Sequence, residues 1–167
     1  PELGGRTIPI AQGRVLGGST AINAMMYIRG NRRDFDHWSH LGNEGWSYAD
    51  VLPYFKKSEN WAGGESAYRG GSGPMRVIPY ADPSPVSHAF EAAAMELGYG
   101  GDGWDCNGEQ QENGAFFYQS TRTDDNRRAS TAVAFLDPIK DHANLTIRTG
   151  ALVSKIVIDN GRATSVE

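Results

Sequence analysis

The residues best suited to chemistry are gathered between Gly13 and Asp36, in the stretch GRVLGGSTAINAMMYIRGNRRDFD. Gly17 and Gly18 remove two Cβ atoms where a backbone must turn sharply or come close to another group. Ser19 and Thr20 follow, both good helix N-cap residues. The run AINAMM after them is small and apolar and is predicted to form a helix. A glycine turn that opens a helix points unpaired N–H groups and the positive end of the helix dipole at an anion, which suits a phosphate or pyrophosphate. Arg14, Arg29, Arg32 and Arg33 flank the turn and would deepen its positive potential. A plainer reading fits the same residues: Gly-Gly as a turn and Ser19 as a cap. GGST alone does not separate the two.

Other chemistry-bearing residues form no comparable pattern. His37 and His40 are three apart and can share a helix face, but no carboxylate or cysteine motif completes a metal site, so they read as solvated surface residues. His88 reads as a solvated helix residue. The loop DGWDCNGE has the acids and glycine of a calcium loop. Taking Asp105 and Asn107 as the third and fifth ligand positions, however, puts Gly103 at the first, where an acid is needed. Cys106 is the single cysteine, so no internal disulfide forms; with no basic neighbour in sequence it reads as structural.

Composition narrows the function classes. The chain has 167 residues, enough to bury a core, and a net charge of −4, which argues against nucleic acid as a partner. It shows no initiator Met, no signal peptide and no apolar run long enough for a transmembrane helix. No compartment is specified, although a cytoplasmic or peripheral membrane setting fits better than secretion. The 21 glycines point to many turns and long loops.

Taken whole, the first stretch resembles the first signature of the glucose–methanol–choline (GMC) family of flavin oxidoreductases. The matching positions are Gly13, Arg14, Leu16, Gly17, Gly18, Ser19, Thr20, Ile22, Asn23, Tyr27, Gly30 and Asp36. RVLGGSTAINAMMYIRG is more similar to the choline and alcohol dehydrogenase branch than to glucose oxidase. The resemblance implies that Val15, Gly17, Gly18 and Ser19 lie near bound FAD, with Asn23, Ala24, Met25 and Met26 beside its isoalloxazine ring. Some members attach FAD through a histidine just before the asparagine. Ile22 stands there in this chain, which implies non-covalent FAD. In the family the valine after the TG pair bonds the adenine through its backbone; the matching residue is Val153.

The resemblance also implies what is missing. No GxGxxG fingerprint occurs, and none of His37, His40, His88 and His142 matches the family's catalytic histidine, so no catalytic residue is nominated. The chain therefore reads as an internal fragment of mixed α/β class. One part belongs to a Rossmann-like FAD-binding domain and another to a substrate-binding domain. Residues 1–74 hold the flavin-contacting segment and a connector, 75–123 lie in the substrate domain, and 124–167 return to the FAD domain. The implied whole enzyme is an FAD-dependent oxidoreductase of CH–OH groups. It would pass a hydride from choline or another primary alcohol to flavin N5 and be reoxidised by oxygen or a quinone-type carrier. The competing readings are a catalytically inert fragment and a nucleotide-binding module without catalysis.

Several elements would carry these residues. Pro1 to Gln12 reads as an extended lead-in. From Asn31 a helix is predicted, with Phe35, Trp38 and Leu41 as a buried stripe and Gly42 at its end. A second helix begins at Ser47, with Asp50 completing a capping box and Pro53 expected to kink or shorten it. Asn60 to Pro74 reads as a mobile surface loop; the resemblance implies a cover over the cofactor or the active-site entrance, while its residues alone fit a simple connector. MRVIPY reads as a strand. Pro85 opens a helix whose Val86, Phe90, Ala93, Ala94 and Leu97 are expected in the core. AFFYQSTRT reads as a strand, Ser130 as the cap of a helix over STAVAFLDPI, and Leu145–Ile147 and the segment from Val153 to Ile158 as strands. Asn160-Gly161 predicts a type I′ hairpin into a last strand at Ala163 to Val166.

Overall fold

Helix α1 (Arg32–His40) and helix α2 (Tyr48–Ser58) start where their caps require. The Asn31 side chain accepts the Arg33 N–H at 2.9 Å, and Gly42, with φ 98°, lets the chain leave α1. Ser47 and Asp50 form the full capping box, each side chain accepting the other's backbone N–H. Helix α2 runs through Pro53 as one element. Asp36 ties the pair together by accepting the Tyr48 N–H at 2.9 Å. Phe35 is buried between the helices, with the rings of Trp38 and Phe55 edge-on at 5.3 and 5.5 Å. Of the stripe expected to be buried, Trp38 and Leu41 are exposed, and Leu41 sits just past the helix end. The computed structural model describes residues 4–101 and 103–167, so the first three residues of the lead-in and Asp102 of the acidic loop lie outside the described residues.

Four short strands form one mixed sheet in the order β1-β4-β3-β2. They are β1 (Met26–Tyr27), β2 (Glu59–Trp61), β3 (Met75–Pro79) and β4 (Gln119–Ser120). Strands β1 and β3 each pair antiparallel with β4, which places Met26 and Ile78 on either side of Ser120. Strand β2 lies parallel to β3 with Trp61 opposite Val77, and Val77 is fully buried. Glu59, Asn107 and Ser120 are equally buried, so much of this core is polar.

The stretch from Asn60 to Pro74, expected to be mobile, is packed instead. Trp61 N donates to Gly70 O, Ala62 N to Val77 O and Gly73 N to Glu59 O, all within 2.8–2.9 Å. Its glycines serve close approach: a Cβ on Gly70 would lie 1.9 Å from the Lys56 carbonyl oxygen. AFFYQSTRT makes an isolated antiparallel bridge from Arg122 to Arg128 and enters the sheet as a strand at Gln119 and Ser120. Before them Phe116, Phe117 and Tyr118 stack on Trp104, His88 and Tyr80, which replaces ladder bonding by ring contact.

Helix α3 (Pro85–Glu96) forms with Ser84 as cap and Pro85 in its first turn, and Gly98 (φ 85°) follows its end. Its expected core stripe is exposed, with Phe90 at 72%. Periodicity specifies that such a face exists, but Val86, Phe90 and Leu97 stay exposed, with Val86 and Phe90 facing Ala115, Phe116 and Phe117 across an open cleft. Ser130 does cap the next turn, accepting the Val133 N–H at 3.3 Å, but that turn is π-helical over Ala132–Leu136 and 3-10 over Asp137–Ile139. The hairpin of β5 (Ile156–Asp159) and β6 (Arg162–Val166) turns at Asn160 (φ 49°) and Gly161 (φ 77°), the two left-handed residues a type I′ turn needs. Leu145–Ile147 pairs with nothing as a strand, and Val153 lies before β5.

Candidate cofactor site

The glycine turn is built by close approach. Gly17 (φ 90°) and Gly18 (φ 53°) are both left-handed, and the chain passes into a single 3-10 turn over Gly18–Ala21. The helix expected over AINAMM does not form. Asn23 bonds back to Ser19, and the chain then extends into β1. Four residues of 3-10 helix carry no appreciable macrodipole, so the helix-terminus account of anion binding does not apply. Ser19 is not the cap. Its Oγ accepts the Gly13 N–H at 3.2 Å and draws the preceding segment against the turn. A Cβ on Gly13 would fall 2.1 Å from the Gly18 carbonyl oxygen, so only glycine fits there.

A second segment clamps the turn from behind. Thr131 donates its N–H to Thr20 Oγ1 at 3.0 Å and its Oγ1 to the Gly17 carbonyl at 3.2 Å. A Cβ on Gly17 would meet Ala132 Cβ at 3.2 Å and Ser130 Oγ at 3.3 Å. Arg128 reaches across with Nη1 to Thr20 O, Asn23 O and Asn23 Oδ1. Asn23 Oδ1 also accepts the Met25 N–H at 3.0 Å, and Met25 is left-handed at φ 59°. A left-handed non-glycine residue stores strain that its surroundings must hold.

An open cleft of about 560 Å³ lies beside this turn, lined by residues 12–16 and 148–152. It joins the two stretches that the sequence resemblance links to one cofactor. Val15 lines it. Gly17, Gly18 and Ser19 form the turn directly after it, and Val153 follows its last lining residue, Leu152. Asn23, Ala24 and Met25 form the tight bend beyond, and Met26 begins β1 with 56% of its surface exposed.

The expected basic surround is much reduced. Arg29 is buried and paired with Glu59 at 2.7 Å, Arg33 pairs with Glu112, and Arg32 donates to the Glu109 carbonyl. Arg14 remains, and the cleft adds Arg148, which the sequence reading missed. Neither has an ion-pair partner among the described residues. All four histidines are exposed, and among the described residues no group of three or more His, Cys, Asp or Glu could hold a metal.

A buried charge network that sequence reasoning also missed lies past the end of β1. Glu59 Oε2 accepts from Arg29 Nη2 (2.7 Å), Arg69 Nε (3.2 Å) and Gly70 N (2.8 Å). Arg69 Nη2 lies 2.9 Å from Glu59 Oε1, as an ion pair without hydrogen-bond geometry. Arg69 Nη1 grips both oxygens of Asp105 at 2.8 and 2.9 Å, and its guanidinium lies 4.1 Å from the Trp61 ring centroid. Asn107 accepts the Arg29 N–H at 2.7 Å and donates to Gln119 Oε1 at 2.8 Å, joining the end of β1 to β4. Two guanidiniums and two carboxylates leave the cluster neutral. Its partners are drawn from separate stretches, and nothing local in sequence pairs them.

Cys106 packs against this network at 4% exposure. Burial, reinforced by the Asp105 charge, pushes its thiol up to about 11. The thiolate is the reactive form, so Cys106 should resist a thiol reagent at pH 8 in the native protein and react fully once unfolded. Rapid native labelling in a colorimetric thiol titration would contradict that burial.

The family model described as GMC oxidoreductase matches residues 2–167. This chain belongs to the GMC oxidoreductase family. An oxygen-dependent choline dehydrogenase from Brucella anthropi is 44% identical over 167 residues, all of this chain and 30% of that protein. The GMC chain thus spans about 30% of the length of the curated relatives it matches. Among solved structures, an FAD-dependent oxidoreductase from Chaetomium thermophilum matches with TM-score 0.84 and 32% identity, over 96% of this chain and 29% of that one. Pyridoxine 4-oxidase from Mesorbium loti matches with TM-score 0.80 and 29% identity, over 93% and 30% of the two chains. The α/β fold of this GMC segment is the fold of those oxidoreductases. No helix of the described residues is long and apolar enough to cross a membrane.

Proposed function

We propose that this chain supplies the flavin-side portion of an FAD-dependent oxidoreductase acting on the CH–OH group of choline or another primary alcohol. The observation that carries the reading is the cleft shared by residues 12–16 and 148–152, with the glycine turn at its edge. Its donor set fits FAD: Arg14 and Arg148 offer two cations to a diphosphate, and exposed Val15 and Leu152 offer apolar contact. FAD bound there would supply the hydride acceptor for alcohol oxidation. The chain's own residues bind and orient: Gly13, Gly17 and Gly18 let the backbone come close, and Asn23, Ala24, Met25 and Met26 form the wall beside the ring. Val153 meets the adenine end through its backbone. With Ile22 in place of a histidine, the attachment is non-covalent.

Residues 1–74 and 124–167 belong to the FAD domain and 75–123 to the substrate domain, with the four-stranded sheet drawing strands from the first two segments. The general base lies outside this chain. By itself the chain is an inert binding piece, a reading supported by the exposed apolar faces of α3 and of the β5–β6 hairpin. Oxygen or a quinone-type carrier reoxidises the flavin. The name of the Brucella relative, an oxygen-dependent enzyme, supports the first.

The test is anaerobic reduction of the complete protein that carries this segment. Choline or a primary alcohol should bleach its visible flavin band, and admitting oxygen or a quinone should restore it. A bound flavin that no alcohol in a panel reduces would overturn the proposal.

A further inference from the structure

We propose that Arg128 is a positioning residue for the flavin-side wall, acting through the side-chain amide of Asn23. The inference rests on the FAD reading above. Arg128 Nη1 lies 2.7 Å from Asn23 O, 2.8 Å from Asn23 Oδ1 and 3.2 Å from Thr20 O, three acceptors at the end of the signature turn. The second donor to Asn23 Oδ1 is the Met25 N–H at 3.0 Å. Both partners of that oxygen are donors, which fixes which end of the amide points inward. The Asn23 Nδ2 group donates to no described residue, and Asn23 is exposed, so the arrangement presents two N–H donors outward.

The same contacts hold the strained backbone. Met25 has φ 59°, and its two backbone groups are pinned from opposite sides, the N–H by Asn23 Oδ1 and the carbonyl by Thr121 N at 2.9 Å. Thr121 in turn accepts Ala129 N at 3.0 Å, and Arg122 and Arg128 face each other across an isolated antiparallel bridge. The Arg128 side chain and its backbone neighbours therefore close a ring around residues 20–25. Without the guanidinium the Asn23 amide is oriented by the Met25 N–H alone, and the strain at Met25 loses one of its supports.

The experiment uses the complete flavoprotein with Arg128→Ala, Arg128→Lys, Asn23→Ala and the double variant. Losing a charge-assisted contact of this kind should weaken FAD binding about tenfold and move the flavin's visible absorption band and midpoint potential. Asn23→Ala should do the same, and the double variant should do no more than either single, because Arg128 acts through Asn23. Lysine should restore part of the affinity, since it reaches the carbonyls as a point charge without the guanidinium's shape. If the alanine variant does not fold, Arg128→Gln takes its place in the cycle. An Arg128 variant with unchanged FAD affinity, band and potential would overturn the proposal, and so would fully additive effects of Arg128 and Asn23. Wild-type protein that binds no FAD would instead overturn the reading beneath it.

Discussion

Arg69→Ala should lower stability by about 3–5 kcal/mol, the usual cost of removing one partner from a buried ion pair. Arg69 is 2% exposed and meets Glu59, Asp105, Gln119 and the Trp61 ring at once. Without it Glu59 stays buried with Arg29 as its one charged partner, and Asp105 loses both of its guanidinium bonds. Domains hold only about 5–15 kcal/mol in total, so this loss approaches unfolding. The comparison is Arg33→Ala, which breaks an exposed pair with Glu112 and should change stability by about 0–1 kcal/mol. Urea unfolding of the complete protein measures both. A midpoint shift for Arg69→Ala no larger than that for Arg33→Ala would mean the network does not hold the sheet. The network's position gives the result functional weight. Asn107 anchors the Arg29 N–H, so its loss should loosen β1 and the Met26 wall with it.

Gly13→Ala should weaken FAD binding by at least about tenfold while leaving the sheet folded. The new Cβ would stand 2.1 Å from the Gly18 carbonyl oxygen and 2.9 Å from the Ser19 nitrogen, both backbone atoms that cannot swing aside. Either the lead-in or the turn must move, and both border the cleft. Gly13 belongs to none of the six strands or three longer helices, so circular dichroism should stay near wild type. Unchanged flavin content after gel filtration would show that the approach of Gly13 to the turn does not shape the cofactor site.

How far the sequence could be read depends on how local each signal is. The Ser47–Asp50 capping box, Pro85 in the first turn of α3 and the Asn160-Gly161 hairpin rest on neighbours within a few residues, and each forms as its spacing indicates. The signature stretch was legible as a unit because many spaced positions agree at once. Its internal conformation was not: Ser19 has the chemistry of a cap but bonds Gly13, and AINAMM has helix-forming residues but ends in a left-handed Met25. There, tertiary bonds from Arg128, Thr121 and Thr131 override local propensity. Glycine misled in the stretch from Asn60 to Pro74, since composition cannot tell a glycine that frees the chain from one that admits another backbone. The buried network was invisible for a different reason: Glu59, Arg69 and Asp105 pair across 10 and 36 residues at no spacing that a helix or strand would signal, and each looks like an ordinary surface charge on its own. The arginines around the signature show the same limit. Four cations were legible, but not that Arg29 would be neutralised in the interior while Arg148 arrived from the far end of the chain.

The central claim is that the turn and cleft hold FAD non-covalently, and flavin content measures it most directly. The complete protein would be incubated with FAD, desalted, scanned for visible absorbance and then precipitated with acid. Stoichiometric flavin should survive desalting and pass wholly into the acid supernatant. Colour that stays with the precipitate would contradict the non-covalent attachment argued from Ile22. No retained flavin at all would contradict the assignment of the cleft itself.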